Sequence, residues 1–374
     1  MGGRLIIYDT SNYIDFPVGG QLTSIYNFLF FLSKEEKEVC KNVILVGIST
    51  QEEEIGHFKS VKIGDISFEL LPVAIAETDL SHTVKSLRIQ FAKGLLRYGR
   101  QLKLKKGDCN YIHTPEAYGV VKLLNPFAKC VIFSHGSYFN MERGFRFFQH
   151  NIFIKKGFRL YLKWILKNAA MIFVLDEDSR EAYKRYNTHL IKVNNSVVCP
   201  EKKEKEEITN WLIFVGRLSK DKNVQPIIKA VQSMKDRGLL IVGNGEEYDN
   251  LCQFADDNIQ FIGAVSPTKV KEYMKKADIL VMNSYFEGIP MTILEAISLG
   301  LPVITTPVGG IPMVLSFGQD SEATDGSTTQ IIEKINKIYS TYELYSAKAY
   351  ENSKRFDYKK VNREIYDKLK GFLV

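Results

Sequence analysis

Residues 283–312 read NSYFEGIPMTILEAISLGLPVITTPVGGIP and gather groups that can hold an oxyanion and a diol. Pro290 can open a helix, Gly300 can close it, and Pro302 prevents its continuation. The pattern predicts a helix of about ten residues starting beside Gly288. Its free N–H groups and positive dipole end suit a phosphate or a sugar hydroxyl. Glu295 lies inside that helix and is the only charged residue between Glu287 and Asp320. So apolar a setting predicts burial, and a buried carboxylate is costly unless it is hydrogen-bonded. Two readings stand level: a carboxylate bonded internally to backbone or hydroxyl groups, or one that accepts from a ligand diol such as ribose.

Other candidates sit where strand-like runs end. Arg217 and Lys222 follow the run 211–215 and Gly216. Exposed basic residues are common, but a place directly after a strand and a glycine favours a ligand. His135 follows the run 131–133 and precedes Gly136; taken alone it reads as a satisfied loop histidine. His113 has the same setting after Tyr111-Ile112 and reads as structural. Gly309-Gly310 reads as a turn, or as a place for ligand approach after a strand end.

The elements that must position these groups alternate strand-like and helix-like almost throughout, the pattern of parallel α/β sheets. In the first half, strands are expected at 5–8, 43–46, 111–112, 131–133 and 171–175. Helices are expected at 21–33, after the Gly19-Gly20 turn, and across 84–100. The segment 200–207, PEKKEKEE, is almost devoid of apolar residues and reads as a surface linker. The pattern then restarts, with strands at 211–215, 239–242, 259–262, 279–282 and 303–305 and a helix at 223–234. Ser266-Pro267 has the form of an N-cap followed by proline. A basic amphipathic helix is expected at 359–373.

Composition bounds the class. A chain of 374 residues suggests two domains, and 45% hydrophobic with 25% charged residues is ordinary for a globular protein. The five cysteines are scattered, odd in number and never in a C-x-x-C pair, which argues against a disulfide framework and structural zinc and fits a reducing cytosol. No stretch reaches the roughly 18–20 apolar residues of a membrane span, and no export signal is visible. A cytoplasmic location is expected. The net charge of +7 permits an anionic partner without identifying one.

The stretch 284–296 resembles the retaining GT-B glycosyltransferases known as group one, or family four. Glu287 and Glu295 have the family's Glu-x7-Glu spacing within its S-x-x-E-G-x-P-x-x-x-L-E-A frame. The later Gly300-Leu301-Pro302-Val303 and Val308-Gly309-Gly310 also match. Upstream, Gly216, Arg217 and Lys222 match G-R-x-x-x-x-K, and Val242-Gly243-Asn244-Gly245 matches V-G-x-G. The first half resembles the family more loosely, through Gly19-Gly20, His113 and His135.

The resemblance implies an α/β GT-B fold, two Rossmann-like domains with parallel sheets facing a central cleft. The expected bounds are 1–199 for the acceptor side, 208–355 for the nucleotide-sugar side, and 356–374 for a final helix packing back on the first domain. It implies transfer of a sugar from a nucleotide-diphosphate sugar to an acceptor hydroxyl, with retention. The expected setting is bacterial surface polysaccharide, lipopolysaccharide or glycolipid synthesis. Arg217 and Lys222 would bind the donor diphosphate, by a two-pronged guanidinium and a mobile point charge. No metal or cofactor is expected. Glu295 would hold the ribose. Glu287 and the backbone of Gly288, Ile289, Pro290, Met291 and Thr292 would hold the donor sugar. Ile262 and Val265 would border the base. Gly20 and Gly243 would allow close backbone approach, and His135 would point at the transferred sugar.

Two departures and two rivals accompany this reading. Met313 stands where the family commonly has an acid, and Leu315-Ser316-Phe317-Gly318 replaces its N-G-x-L-V segment. A dinucleotide-dependent oxidoreductase fails because Tyr248 occupies the third glycine's place after Gly243-Asn244-Gly245. A non-catalytic nucleotide-sugar-binding protein that kept the fold is the alternative, supported only by Met313. Two basic segments bear on the acceptor. Residues 84–106 carry Lys85, Arg88, Lys93, Arg97, Arg100, Lys103, Lys105 and Lys106 with no acid. Lys155, Arg159, Lys163 and Lys167 recur every four residues among Phe153, Phe158, Tyr161 and Trp164. The default reading is a solvated face over a buried aromatic one. The sharper one is a helix lying on an anionic membrane surface. No nucleic-acid motif is present.

Overall fold

A computed structural model describes residues 3–17, 19–76, 86–136, 152–201 and 207–373. The chain forms two compact units, residues 1–194 with 359–374 and residues 195–358.

The first unit contains β1 (Leu5–Tyr8), β2 (Val43–Ser49), β3 (Lys59–Ile63), β4 (Ile66–Ile75), β5 (Cys109–Ile112), β6 (Lys129–Ser134), β7 (Met171–Val174) and β8 (Leu190–Lys192). They make one sheet in the order β3-β4-β2-β1-β5-β6-β7-β8. All pairs are parallel except the β3–β4 hairpin. β1, β2, β5 and β7 are buried at every position, because helices cover both faces of a parallel sheet. The order reverses between β1 and β5, where a crevice opens outside the carboxyl ends of the strands. The final helix, Tyr358–Lys370, packs on this unit. Asn362 donates to Asn27 O at 3.1 Å, and Lys359 and Arg363 pair with Glu35 and Glu36.

The second unit contains β9 (Trp211–Val215), β10 (Gly238–Val242), β11 (Ile259–Gly263), β12 (Ile279–Val281), β13 (Val303–Thr305) and β14 (Ser321–Ala323). The order is β11-β10-β9-β12-β13-β14, all parallel, and it reverses between β9 and β12. One hydrophobic core lies on each face of the sheet. This unit begins at Asn195, upstream of the charged segment, of which residues 202–206 lie outside the described residues. Hydrogen bonds explain the early start. Asn195 donates to Ile289 O at 3.1 Å, and Val197 N donates to Phe356 O at 2.9 Å.

Several local signals act as read. Ser266 caps the helix Pro267–Lys276 through a bond from Lys269 N. The helix after Gly288 is shorter than expected, at eight residues (Met291–Ser298), with Pro290 at its N-cap and extended at ψ 125°. Gly300 ends it in the left-handed region, at φ 73°.

Candidate active site

In the second unit the candidate residues gather at the carboxyl ends of β9 and β12, on either side of the point where strand order reverses. Lys222 Nζ lies 2.6 Å from Glu287 Oε1, and Ser284 Oγ donates to the same oxygen at 2.7 Å. Both partners are largely buried, with 18% and 10% of their side chains exposed. The Lys222 turn is tied down: Tyr285 N donates to Asp221 O at 2.8 Å, and Asn283 Nδ2 to Asn223 O at 3.1 Å. Arg217, by contrast, is exposed, and its guanidinium has no partner among the described residues. Lys222 is thus held by the fold, whereas Arg217 is free to meet a ligand.

The glycines show why backbone, and not side chain, fills this edge. Gly309 has φ 58°, and a Cβ there would lie 1.7 Å from Glu287 O. The adjoining Gly310 N donates to Gly288 O at 2.9 Å. Gly309-Gly310 therefore straps the Glu287-Gly288 turn in place: the close approach is between two segments of the chain itself. Gly243 does the same for Gly216, whose carbonyl oxygen would lie 1.9 Å from its Cβ. Ile262 and Val265 are partly buried against one core of the unit.

Beyond the strap, the first-turn amides of Met291 and Thr292 have no acceptor among the described residues. Glu295 follows one turn later. Its carboxylate has no hydrogen-bond donor and no cation within 4 Å among the described residues, and burial raises its pKa above the ordinary carboxylate range, countered by the Lys271 charge. Met313 lies beyond the strap in the short helix Ile311–Val314 and is partly exposed.

In the first unit the polar residues lie at the carboxyl ends of β1, β5 and β6. Asp9 is buried and accepts from Gln21 and, at 3.2 Å, from Thr114 Oγ1; burial raises its pKa. His113 Nδ1 lies 2.8 Å from His135 Nε2. Burial pushes the His135 imidazole down to about 3, reinforced by the Arg88 charge, and burial with the His135 ring holds His113 well below the usual range. Both rings are neutral. Gly20 opens the helix Gly20–Glu35, exposed, after an uncapped Gly19. Asp9, Gln21, Thr114, Ser284 and Asn283 were not singled out from sequence. The signal available was position: each lies within a few residues of a strand end or in the first turn after one.

Residues 199–356 match the family described as "Glycosyl transferases group 1". A curated relative is the O-antigen biosynthesis glycosyltransferase WbnH of Escherichia coli, 29% identical over 245 residues, which cover 63% of this chain and 68% of the relative. Among solved structures, sucrose-phosphate synthase from Thermosynechococcus elongatus superposes with a TM-score of 0.78 at 13% identity, over 99% of this chain and 98% of the other. Anabaena HepE, solved with UDP and glucose, superposes with a TM-score of 0.69 at 15% identity, over 98% and 99%. The fold class is GT-B, two Rossmann-like α/β units. The likeness to group 1 glycosyltransferases rests on residues 199–356 and on the curated relatives.

Proposed function

We propose that the chain transfers a sugar from a nucleotide-diphosphate sugar to an acceptor hydroxyl, with retention, in the synthesis of a surface polysaccharide or glycolipid. The observation that carries this reading is the unpartnered, partly buried Glu295 carboxylate beside free helix amides and a tethered Lys222 among the described residues. A carboxylate costs stability in such a place unless a ligand diol binds it. Arg217 and Lys222 hold the diphosphate and neutralise it as it leaves; Glu287 and the amides after it hold the sugar. Charge stabilisation of this kind is usually the largest catalytic contribution. HepE's complex with UDP and glucose supports a UDP-sugar donor, and WbnH's O-antigen role supports a glycan acceptor. Release of nucleoside diphosphate from a panel of UDP-, GDP- and ADP-sugars, with and without membrane-extract acceptors, tests the proposal. Binding of a donor with no release under any condition would leave a nucleotide-sugar-binding protein instead.

Glu295 supplies a sharper check. Its pKa is raised in the folded state, so the folded protein holds this proton more tightly than the unfolded chain. The resulting penalty on stability grows as pH rises through the ordinary carboxylate range towards the raised value, and is in force at neutral pH. Glu295→Gln removes that penalty. The expected result is an unliganded Tm at pH 7 that is unchanged or higher, together with weaker nucleoside diphosphate binding. Loss of a charge-assisted bond costs roughly 1.5–3 kcal/mol, about tenfold or more in Kd. Calorimetry and thermal melts measure both, and a fall in Tm with unchanged affinity would assign the carboxylate a structural role.

The first unit adds an acceptor-side surface, which we read as resting on an anionic bilayer. Val84 and Lys85 of the first basic segment lie outside the described residues, as do residues 137–151 before the second. Arg88 does not belong to the outer face: its guanidinium turns to Glu116 at 3.8 Å. The helices Leu87–Tyr98, Glu116–Leu124 and Ile152–Asn168 line one face of the sheet, since Phe91, Val121 and Leu166 enter a single core with Ile6 and Ile132. Glu116 is the only acid on the three. The aromatic residues are not all buried, as the default reading required: Phe153 is 82% and Trp164 42% exposed.

A further inference from the structure

The two histidines at the ends of β5 and β6 are joined by a ring-to-ring hydrogen bond. One proton is shared between His113 Nδ1 and His135 Nε2. The other nitrogen of His113, Nε2, is buried without a partner. Its ring stands edge-on to Tyr111, centroids 4.4 Å apart, and stacks on Phe133 at 5.3 Å. If the shared proton sat on His135 Nε2, His113 Nδ1 would be the acceptor. A neutral His113 would then carry its own proton at Nε2, an N–H buried without an acceptor. If the shared proton sits on His113 Nδ1, the unpaired atom is a lone pair. A buried orphan N–H is the rarer and costlier defect, so the second arrangement wins. His135 Nε2 is then an acceptor, and a neutral His135 must carry its proton at Nδ1. That atom has no partner among the described residues, and the ring is partly exposed.

We propose that His113 is a positioning residue that fixes the tautomer of His135, so that His135 presents an Nδ1–H donor, and not a base, to a ligand oxygen. Such a donor suits a sugar hydroxyl, whose oxygen accepts, and it cannot remove a proton from the acceptor nucleophile. The consequence for turnover rests on the proposed function; the tautomer itself does not.

The test uses the whole chain with its six histidines labelled with 15N. His113→Asn and His135→Gln assign the two rings in long-range 1H–15N spectra. The expected spectrum shows His135 as the neutral Nδ1–H form, unchanged from pH 5 to pH 8. A proton on His135 Nε2, or a titration inside that range, overturns the inference. Turnover supplies the second readout. In His113→Asn the amide nitrogen stands where Nδ1 stood and can still donate, so turnover stays close to that of the unaltered protein. In His113→Asp an acceptor stands there, drawing the His135 proton to Nε2, and loss of the outward donor is expected to cost about 100-fold in kcat. Nucleoside diphosphate affinity, a property of the second unit, is expected to hold. Equal turnover of the two variants, with the expected tautomer in the spectra, overturns the role of the His135 Nδ1–H as a donor to a ligand oxygen.

Discussion

Arg217→Ala is expected to lower turnover by about 100-fold or more while leaving Tm unchanged, whereas Lys222→Ala is expected to lower both. The difference follows from the partners each cation has before any ligand binds. Arg217 is exposed and makes no side-chain bond among the described residues, so its removal costs the folded protein nothing visible. It does cost the leaving diphosphate a two-pronged donor, and one such donor is typically worth 100-fold or more in rate. Lys222 neutralises Glu287 at 2.6 Å in a largely buried setting. Its truncation leaves that carboxylate, among the described residues, with only the Ser284 hydroxyl. Stranding a buried polar group costs about 1–3 kcal/mol, and more for a charged one. Steady-state kinetics with thermal melts on both variants checks this. Near-normal turnover in Arg217→Ala would remove it from the diphosphate site. An undiminished Tm in Lys222→Ala would mean that the ion pair contributes nothing to the fold.

Much of this site could be read from sequence because its parts are local. Glu287, Gly288 and Glu295 lie in one turn-and-helix segment, and proline and glycine mark its ends. The contact between Lys222 and Glu287 was not legible. It is set by β9 and β12 lying side by side, and strand adjacency is a long-range fact. The same holds for His113. In sequence it is one histidine after one short strand; in the sheet, β5 and β6 pair in parallel with Ile112 beside Ile132, so residues after their ends become neighbours. Two histidines ending consecutive strands were a usable signal, and reading each alone missed it.

The fold class followed from the alternation of apolar runs, which parallel sheets impose by burying both faces of each strand. Strands that depart from that pattern were passed over. β14 is Ser-Glu-Ala, three residues with no β-propensity, held by long-range pairing with β13 and by Tyr345, Lys334 and Lys337 at Glu322. The β3–β4 hairpin carried a signal that went unused: Val61, Ile63, Phe68 and Leu70 alternate with exposed residues around a two-residue Gly64-Asp65 turn, with Gly64 at φ 60°. An antiparallel edge hairpin lies outside the βαβ repeat that the rest of the chain follows.

The outer face of the first unit yields the other large effect. Ile89, Leu96, Leu123, Phe127, Leu160 and Trp164 are all at least 42% exposed on or beside the three helices. Lys93, Arg97, Arg100, Lys156, Lys163 and Lys167 are exposed among them. Cations with interspersed apolar side chains, and no exposed acid among the described residues of these helices, match a bilayer carrying anionic headgroups, where the charges meet phosphate and the apolar groups reach the acyl boundary. Each basic residue near such a surface contributes about 1 kcal/mol. Lys163→Glu with Lys167→Glu removes two attractions and adds two repulsions, about 4 kcal/mol, or on the order of 1000-fold in partitioning. Co-sedimentation with vesicles of neutral and of anionic lipid, at low and high salt, measures it. Binding by the unaltered chain should require anionic lipid and weaken with salt, as the Debye length falls from about 10 Å at 0.1 M to about 3 Å at 1 M. Phe127→Ser should weaken the binding that survives high salt, because that part comes from apolar insertion. The charge-reversed variant should lose the vesicles while keeping its affinity for nucleoside diphosphate, since the donor residues belong to the other unit. Equal binding to neutral and anionic vesicles, or loss of donor affinity together with vesicle binding, would defeat the idea that this face is a membrane surface separate from the donor site.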